Sequence, residues 1–311
     1  MKKIIICIFL VLLVAGCTGM PDIFGNIFGT QKKTKELPPD VIVVQNIHTL
    51  PAPPINTGDQ FSVSFEVANQ EEQREVKDVA YKLLDSGLCK WRSGNLNEST
   101  FTTEGNYFLP KQVEFVEWTF NTPNASEIAY LSTKCPIRFR VNYSFEAVSE
   151  IDVDVISEQK YSQLQQTGGF KTFVPTLSMG RGPIKVLMEF GASLPVKNNT
   201  VLPIYITVQD KGTGLYSTIP DEADKRLVIK IPNRTTGFIF QDCGERFTCD
   251  SNTNECWNNQ NITMIERKSP TFRCSFTTPD VPIEKIYNIE ASLNYTYDVT
   301  NEVDVEVKPI R

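Results

Sequence analysis

The chain contains two similar stretches of sequence: Asn142-Tyr-Ser-Phe-Glu-Ala-Val-Ser-Glu-Ile-Asp-Val-Asp-Val155 and Asn294-Tyr-Thr-Tyr-Asp-Val-Thr-Asn-Glu-Val-Asp-Val-Glu-Val307. They align without a gap at an offset of 152 residues. Upstream, Trp118-Thr-Phe-Asn-Thr-Pro123 matches Cys274-Ser-Phe-Thr-Thr-Pro279 after a small insertion or deletion. The repeats of solenoid proteins span only roughly 20 to 50 residues, so this period corresponds to a whole domain. The sequence therefore predicts two copies of one domain.

Apolar and polar residues alternate through both copies, as they do in half-buried strands. In the first copy the clearest runs are Gln60–Ala68, Gln112–Phe120 and Ile137–Phe145. The second copy contains seven runs: Ile184–Phe190, Val201–Val208, Leu227–Ile231, Phe238–Gln241, Arg273–Phe276, Ile289–Tyr297 and Val303–Val307. About seven short strands in a copy favour an all-β fold of two tandem β-sandwiches, with barrel closure as the alternative. We place the sandwiches at residues 41–157 and 183–311, with an inter-domain segment at 158–182.

The N-terminus has the pattern of an export signal. Lys2-Lys3 precedes an apolar run from Ile4 to Ala15, which is too short to span a membrane but has the length of a signal-peptide core. The run ends in Val14-Ala15-Gly16-Cys17. This motif resembles the lipobox of surface lipoproteins, and the resemblance implies that residues 1–17 form a lipoprotein signal with Cys17 as the lipidated residue. Localisation on the outer face of the membrane is the expected consequence, with residues 18–40 as a spacer.

The strand pattern resembles that of immunoglobulin-like surface domains, particularly CARDB-type adhesion modules. The Cys, Trp, Cys spacing of antibody domains is missing, since Trp91 follows Cys89 by only two positions. The lipobox together with many glycosylation sequons resembles archaeal surface glycoproteins. These resemblances imply adhesion, ligand binding or cell-envelope assembly.

Six cysteines remain after Cys7 and Cys17, and an even number in an exported chain indicates disulfides. Cys89 then pairs with Cys135 in the first copy. Three pairings are open in the second copy, of which we favour Cys249 with Cys256 and Cys243 with Cys274. The alternative is a four-cysteine zinc site, but intervals of five, six and seventeen residues lack the close pairs that such sites use.

Seven Asn-x-Ser/Thr triplets indicate surface positions that can carry N-linked glycans in a host that glycosylates exported proteins. Their asparagines are Asn97, Asn124, Asn142, Asn198, Asn233, Asn261 and Asn294.

Composition argues against nucleic acid as a partner and against common enzymatic chemistries. The net charge is −6 at pH 7, and Lys and Arg are not clustered as phosphate binding requires. His48 is the single histidine, and no Gly-x-Ser-x-Gly motif is present. Asp250-Ser-Asn-Thr-Asn254 has oxygen ligands at alternate positions, but Glu255 stands where a calcium loop needs glycine. We therefore predict a protein without enzymatic activity, metal or cofactor.

Two apolar strips and one tryptophan are the candidate contact sites. Ile23–Phe28 has the spacing of a short helix face beside the lipid, and Phe170–Leu177 either packs on a domain or docks a partner. Trp257, which we expect in a loop, is the best candidate for stacking against a sugar. The sequence predicts a lipid-anchored surface protein that binds a protein or glycan, and the alternative is an accessory subunit of a membrane or secretion complex. It does not indicate an oligomeric state.

Overall fold

The all-β prediction is confirmed by a computed structural model, which describes residues 40–94, 107–170, 173–217, 227–232, 237–250 and 252–310. These residues belong to one compact unit, Pro38–Arg311. One helix, α1, is present in the described ranges and covers Glu158–Thr167.

The two copies have matching strands. The first copy contains β1 Ile42–Leu50, β2 Ile55–Asn56, β3 Gln60–Asn69, β4 Lys77–Asp85, β5 Lys90–Gly94, β6 Val113–Asn121 and β7 Thr133–Ile156. After α1 come β8 Leu177–Met179, β9 Ile184–Phe190, β10 Val196–Lys197, β11 Val201–Asp210 and β12 Leu215–Ser217. The chain then forms β13 Leu227–Lys230, β14 Ile239–Asp242, β15 Phe247–Asp250, β16 Glu255–Asn258, β17 Phe272–Thr277 and β18 Glu284–Lys308.

Each copy builds a four-stranded sheet of the same order. The first copy has β1-β3-β6-β5 and the second has β9-β11-β17-β14. Even the irregularities correspond, because the ladder shifts register between Trp91 and Ser93 in one copy and between Phe240 and Asp242 in the other. Both sheets pack on a third, ten-stranded sheet whose central members are β7 and β18.

The long strands β7 and β18 pair antiparallel over their full common length. Ser144 pairs with Thr296, and these residues occupy the same position in the two copies. Exchanging the copies therefore leaves the register unchanged, so an approximate twofold axis passes between Ser144 and Thr296. At about 3.4 Å per residue, this ladder of 24 residues extends about 80 Å.

The copies also exchange the ends of their long strands. The short strand β2 of the first copy pairs with Val307 and Lys308 of the second, while β10 of the second pairs with Val155 and Ile156 of the first. Each of these short strands leads directly into its own four-stranded sheet. Each sandwich therefore contains residues of both copies, and the two cannot separate without breaking the central ladder.

The prediction of two separate strands at Ile289–Tyr297 and Val303–Val307 is wrong. Polar residues between them suggested a turn, but β18 continues through this segment, with Val299 on the buried side and Thr300 exposed. Paired backbone supplied by β7 holds the segment extended despite its polar sequence.

The two cores are filled differently at one equivalent position. In the first copy Gly94 pairs with Trp118, whose indole is completely buried against Phe65 and Phe139. In the second copy the same two positions hold Cys243 and Cys274, which are joined by a disulfide. A disulfide thus takes the place of a buried indole.

The segment that we placed between the domains packs against the central sheet. The side chain of Ser157 caps α1 by accepting a hydrogen bond from the Lys160 backbone N–H. Gly168 ends the helix in the left-handed conformation, and β8 then pairs with β7.

Candidate functional site

A cleft of about 670 Å³ opens beside the twofold axis, and we call it the axial cleft. It forms where the edge of β7 is unpaired: β4 pairs as far as Ser144, and β8 resumes the pairing at Ser149. The walls are formed by Gln73, Arg74, Glu75, Lys77, Asp78, Leu109, Pro110, Ser144, Phe145, Glu146, Asn294 and Tyr295.

Arg74 fills the gap in the sheet. Its Nη1 donates to the carbonyl oxygen of Glu146 at 3.0 Å, and its Nη2 donates to that of Arg181 at 3.3 Å. The guanidinium lies 4.4 Å from the centre of the Phe145 ring and 3.5 Å from the buried carboxylate of Glu71. These contacts satisfy the unpaired strand edge, so Arg74 shapes the cleft and has little capacity left for a ligand.

Most of the remaining polar groups of the cleft are exposed, Ser144 and Glu146 are half-buried, and the group is of mixed charge. Lys77 is exposed, and Asn294 projects from the middle of β18 into the same opening. Carboxylates of Glu75, Asp78 and Glu146 also line it. The cleft thus combines apolar side chains with scattered hydrogen-bond donors and acceptors. This combination suits a polar, uncharged ligand such as a sugar or an extended peptide.

Below the cleft, buried tyrosines pack around the axis. Tyr143 and Tyr295 are equivalent in the two copies, and both are completely buried together with Tyr297. Burial raises the pKa of the Tyr143 and Tyr295 hydroxyls well above the ordinary value. Gly182 lies so close to Tyr295 that a Cβ would approach its hydroxyl to 2.8 Å. These residues form a buried, closely packed aromatic layer beside the cleft.

Asp210 is the one buried carboxylate tied to this tyrosine cluster in the described region. Its Oδ1 accepts hydrogen bonds from the Tyr297 hydroxyl at 2.9 Å and from the Gly212 backbone N–H at 3.0 Å. Arg267 lies 3.7 Å away, and Asp40 also faces the site. Burial is the main cause that raises the pKa of the Asp210 carboxyl, and the negative charge of Asp40 adds to it.

We expect Asp210→Asn to remove a pH-dependent loss of folding stability that the buried carboxylate causes. The carboxyl pKa is higher in the folded than in the unfolded state, so wild-type stability increases as the pH falls through the folded pKa towards the unfolded one. The equivalent residue in the first copy is already an asparagine, Asn69, which accepts the same turn hydrogen bond from Glu71 N–H. Urea unfolding between pH 4 and 7 measures the free energy of unfolding of both proteins. As the pH falls, the free energy of the wild type should rise relative to that of the variant. A difference that does not change with pH would contradict the raised pKa of Asp210.

His48 is not placed for catalysis. It lies on the exposed face of β1, opposite Ser64, which in turn lies opposite Glu117. The carboxylate is thus two strands, roughly 10 Å, from the imidazole, so it cannot orient a histidine base for the serine. Within the described ranges, no nucleophile, base and acid converge around His48.

The calcium alternative does not fit the loop either. Asp250 accepts a hydrogen bond from the Asn252 backbone N–H, while the buried Asn254 turns its amide towards the carbonyl oxygens of Pro232 and Phe238. These hydrogen bonds tie the Asp250 and Asn254 side chains to backbone groups of the protein. Trp257 lies in β16 and is half-buried, so our expectation that it sits in a loop is wrong.

All three disulfides join the cysteines that the sequence favours: Cys89 with Cys135, Cys243 with Cys274, and Cys249 with Cys256. Among the sequons, Asn124, Asn261 and Asn294 are exposed and Asn142 is half-buried. Asn198 is only 7% exposed and donates its amide hydrogen bond to Asp280. Asn198 is therefore less accessible to a glycan-transferring enzyme than the exposed sequon asparagines are.

The strip Phe170–Leu177 divides between packing and exposure. Phe173 and Leu177 pack against the core, and Phe170 contacts Tyr161. Val174 remains 74% exposed. Cys17, Ile23–Phe28, Asn97 and Asn233 lie outside the described residues.

No protein-family model matches the chain, and no curated protein is significantly similar to it. None of the helical segments in the described ranges has the length and hydropathy needed to cross a membrane.

Sequence reasoning missed Arg74, Tyr295 and Asp210 as parts of a site. The repeat was the available signal, because it makes Tyr143 and Tyr295 equivalent. Equivalent residues near a twofold axis lie close to each other.

Proposed function

We propose that this protein is a non-enzymatic, lipid-anchored surface glycoprotein that uses its interlocked sandwiches for adhesion, ligand binding or cell-envelope assembly. The observation that carries the proposal is the set of three disulfide bonds in one compact unit. Such bonds form and persist in oxidising compartments outside the cytosol. They agree with the export signal and with the lipidation motif at Cys17.

The axial cleft is the proposed ligand site. A concave surface with an apolar floor and a polar rim is the usual form of a binding pocket. Its exposed groups, Gln73 and Lys77 among them, are hydrogen-bonding groups suited to a glycan or an extended peptide of another surface protein.

The second candidate is an accessory subunit of a membrane or secretion complex. It is favoured by the exposure of Val174, which lies between two residues that pack against the core, Phe173 and Leu177. Under this alternative Val174→Glu would release a co-purifying partner without unfolding the chain, because the side chain is mostly solvated. Phe173 is unsuitable for this test, since it packs in the core.

Replacement of Cys17 tests the proposed anchor. In the native host, Cys17→Ser should abolish the lipid mass on the intact protein and release the chain from the membrane fraction into the medium. The matched control is Cys7→Ser, which removes the other cysteine of the leader and should change neither result. Protease added to whole cells should degrade the anchored wild type.

Two outcomes would contradict the anchor. One is an unmodified Cys17 thiol in the membrane-extracted wild type. The other is full membrane retention of Cys17→Ser.

A further inference from the structure

Three cysteines of the second copy form one sulfur cluster, although they belong to two disulfides, and the fourth cysteine is bonded to one of them. The Sγ atoms of Cys243, Cys249 and Cys256 all lie within 4.8 Å of one another, and Cys274 is bonded to Cys243. They meet because the β15–β16 hairpin of the large sheet faces β14 and β17 of the four-stranded sheet. The rings of Phe247 and Phe272, 5.4 Å apart, mark the same contact between the sheets.

This arrangement removes the sequence-based argument against a zinc site. Wide intervals between the cysteines argued against a site built on a single knuckle, but here each sheet supplies a close pair. The Cα atoms are 4.0 Å apart both in Cys243–Cys274 and in Cys249–Cys256. Two such pairs facing each other are what a four-cysteine site requires.

The sulfur positions can be compared with those of a four-thiolate metal site. A tetrahedral centre with zinc–sulfur bonds of about 2.3 Å places its sulfurs about 3.8 Å apart. Reduction has to let the bonded sulfurs of each pair separate to this distance, and the Cys274 sulfur, which lies outside the group of three within 4.8 Å, has to move towards the ion. Cys243, Cys256 and Cys274 are buried, whereas Cys249 is exposed and offers the route by which a reductant and an ion can enter.

We propose that the reduced form of this cluster is a tetrathiolate site for a soft divalent cation such as Zn²⁺. Reduction by a thiol or phosphine breaks two S–S bonds and adds four electrons and four protons, while the reductant is oxidised. The divalent ion then displaces four protons and forms four metal–sulfur bonds. The oxidised protein, with both disulfides intact, has no thiolate to offer and does not bind the ion.

Cobalt titration tests this site in the full chain carrying Cys7→Ser and Cys17→Ser. After reduction with a phosphine, one Co²⁺ per chain should produce the intense visible bands of a tetrahedral centre and the ultraviolet bands of thiolate ligation, and Zn²⁺ should displace it. Further replacement of Cys89 and Cys135 by serine is the matched control and should leave both bands in place. Replacing Cys243 and Cys274, or Cys249 and Cys256, should reduce the stoichiometry from one to near zero.

The proposal is overturned if the reduced chain shows no tetrahedral thiolate bands, whether or not circular dichroism finds it folded. It is equally overturned if the bands survive the loss of Cys243 and Cys274, or if the unreduced protein binds Co²⁺ in the same way.

Discussion

Replacing Trp118 with alanine is expected to lower the free energy of unfolding by about 3–5 kcal/mol. The indole is completely buried, and its ring lies 4.9 Å from that of Phe65 and 5.2 Å from that of Phe139. Removing it leaves a cavity that the surrounding strands cannot close. Since folded domains are stable by only about 5–15 kcal/mol, the variant should be close to unfolding at room temperature.

Trp257→Ala is the matched control. Its side chain is half-buried on β16, so part of its surface is already in water and the loss should be less than half that of Trp118→Ala. Urea unfolding followed by circular dichroism measures both. Equal losses would show that Trp118 is not a core anchor.

Thr296→Pro should prevent stable folding of both sandwiches. Thr296 lies on the twofold axis, where β18 is hydrogen-bonded to β7 on one side and to β12 on the other. Proline has no N–H, so a buried carbonyl of a neighbouring strand loses its partner at a cost of about 1–3 kcal/mol, and the ring disrupts the ladder further. We expect the variant to be degraded or recovered only as aggregate.

Thr296→Val separates the backbone effect from the side-chain effect. The Thr296 hydroxyl is buried and has no hydrogen-bond partner in the described region, so a methyl group of the same shape should leave stability unchanged or increase it. Thermal unfolding of the two variants gives the comparison. A stable Thr296→Pro protein would contradict the central role of this ladder.

Alternation of side chains was sufficient to predict most strands. Ile184–Phe190 was predicted with the bounds that the structure has, because every second residue is apolar and a turn follows. The long strand β18 was not predicted as one element, since its polar middle is held extended by β7, which lies far away in the sequence. The local pattern of apolar and polar residues cannot predict a pairing strand that is distant in the sequence.

The repeat predicted two copies of a domain but not how they are joined. Exchange of the strand ends depends on whether Val155 pairs with Val196 of the other copy, and both strands would alternate identically in either arrangement. The domain boundaries at 157 and 183 therefore stay a prediction, and they describe the repeated units of the sequence. Physically, each sandwich needs both copies.

The site was less predictable than the fold. The position of the cysteines left one pairing in the first copy and three in the second, of which the favoured one is present, whereas Arg74 had no motif to mark it. Its role arises from an unpaired stretch of β7 edge, which exists only after the sheet has formed. The same holds for the sulfur cluster, whose members come together from two sheets.

Amide hydrogen exchange of a Trp118→Phe variant tests the central claim, that the two copies form one interlocked unit, most directly. The milder substitution perturbs only the first sandwich, so the exchange of β3 (Gln60–Asn69) and of β11 (Val201–Asp210) can be compared in a folded protein. If β7 and β18 couple the sandwiches, the opening free energies of both strands should fall by the same amount. A loss of protection confined to β3, with β11 unchanged, would show that the copies are independent domains and would contradict this account.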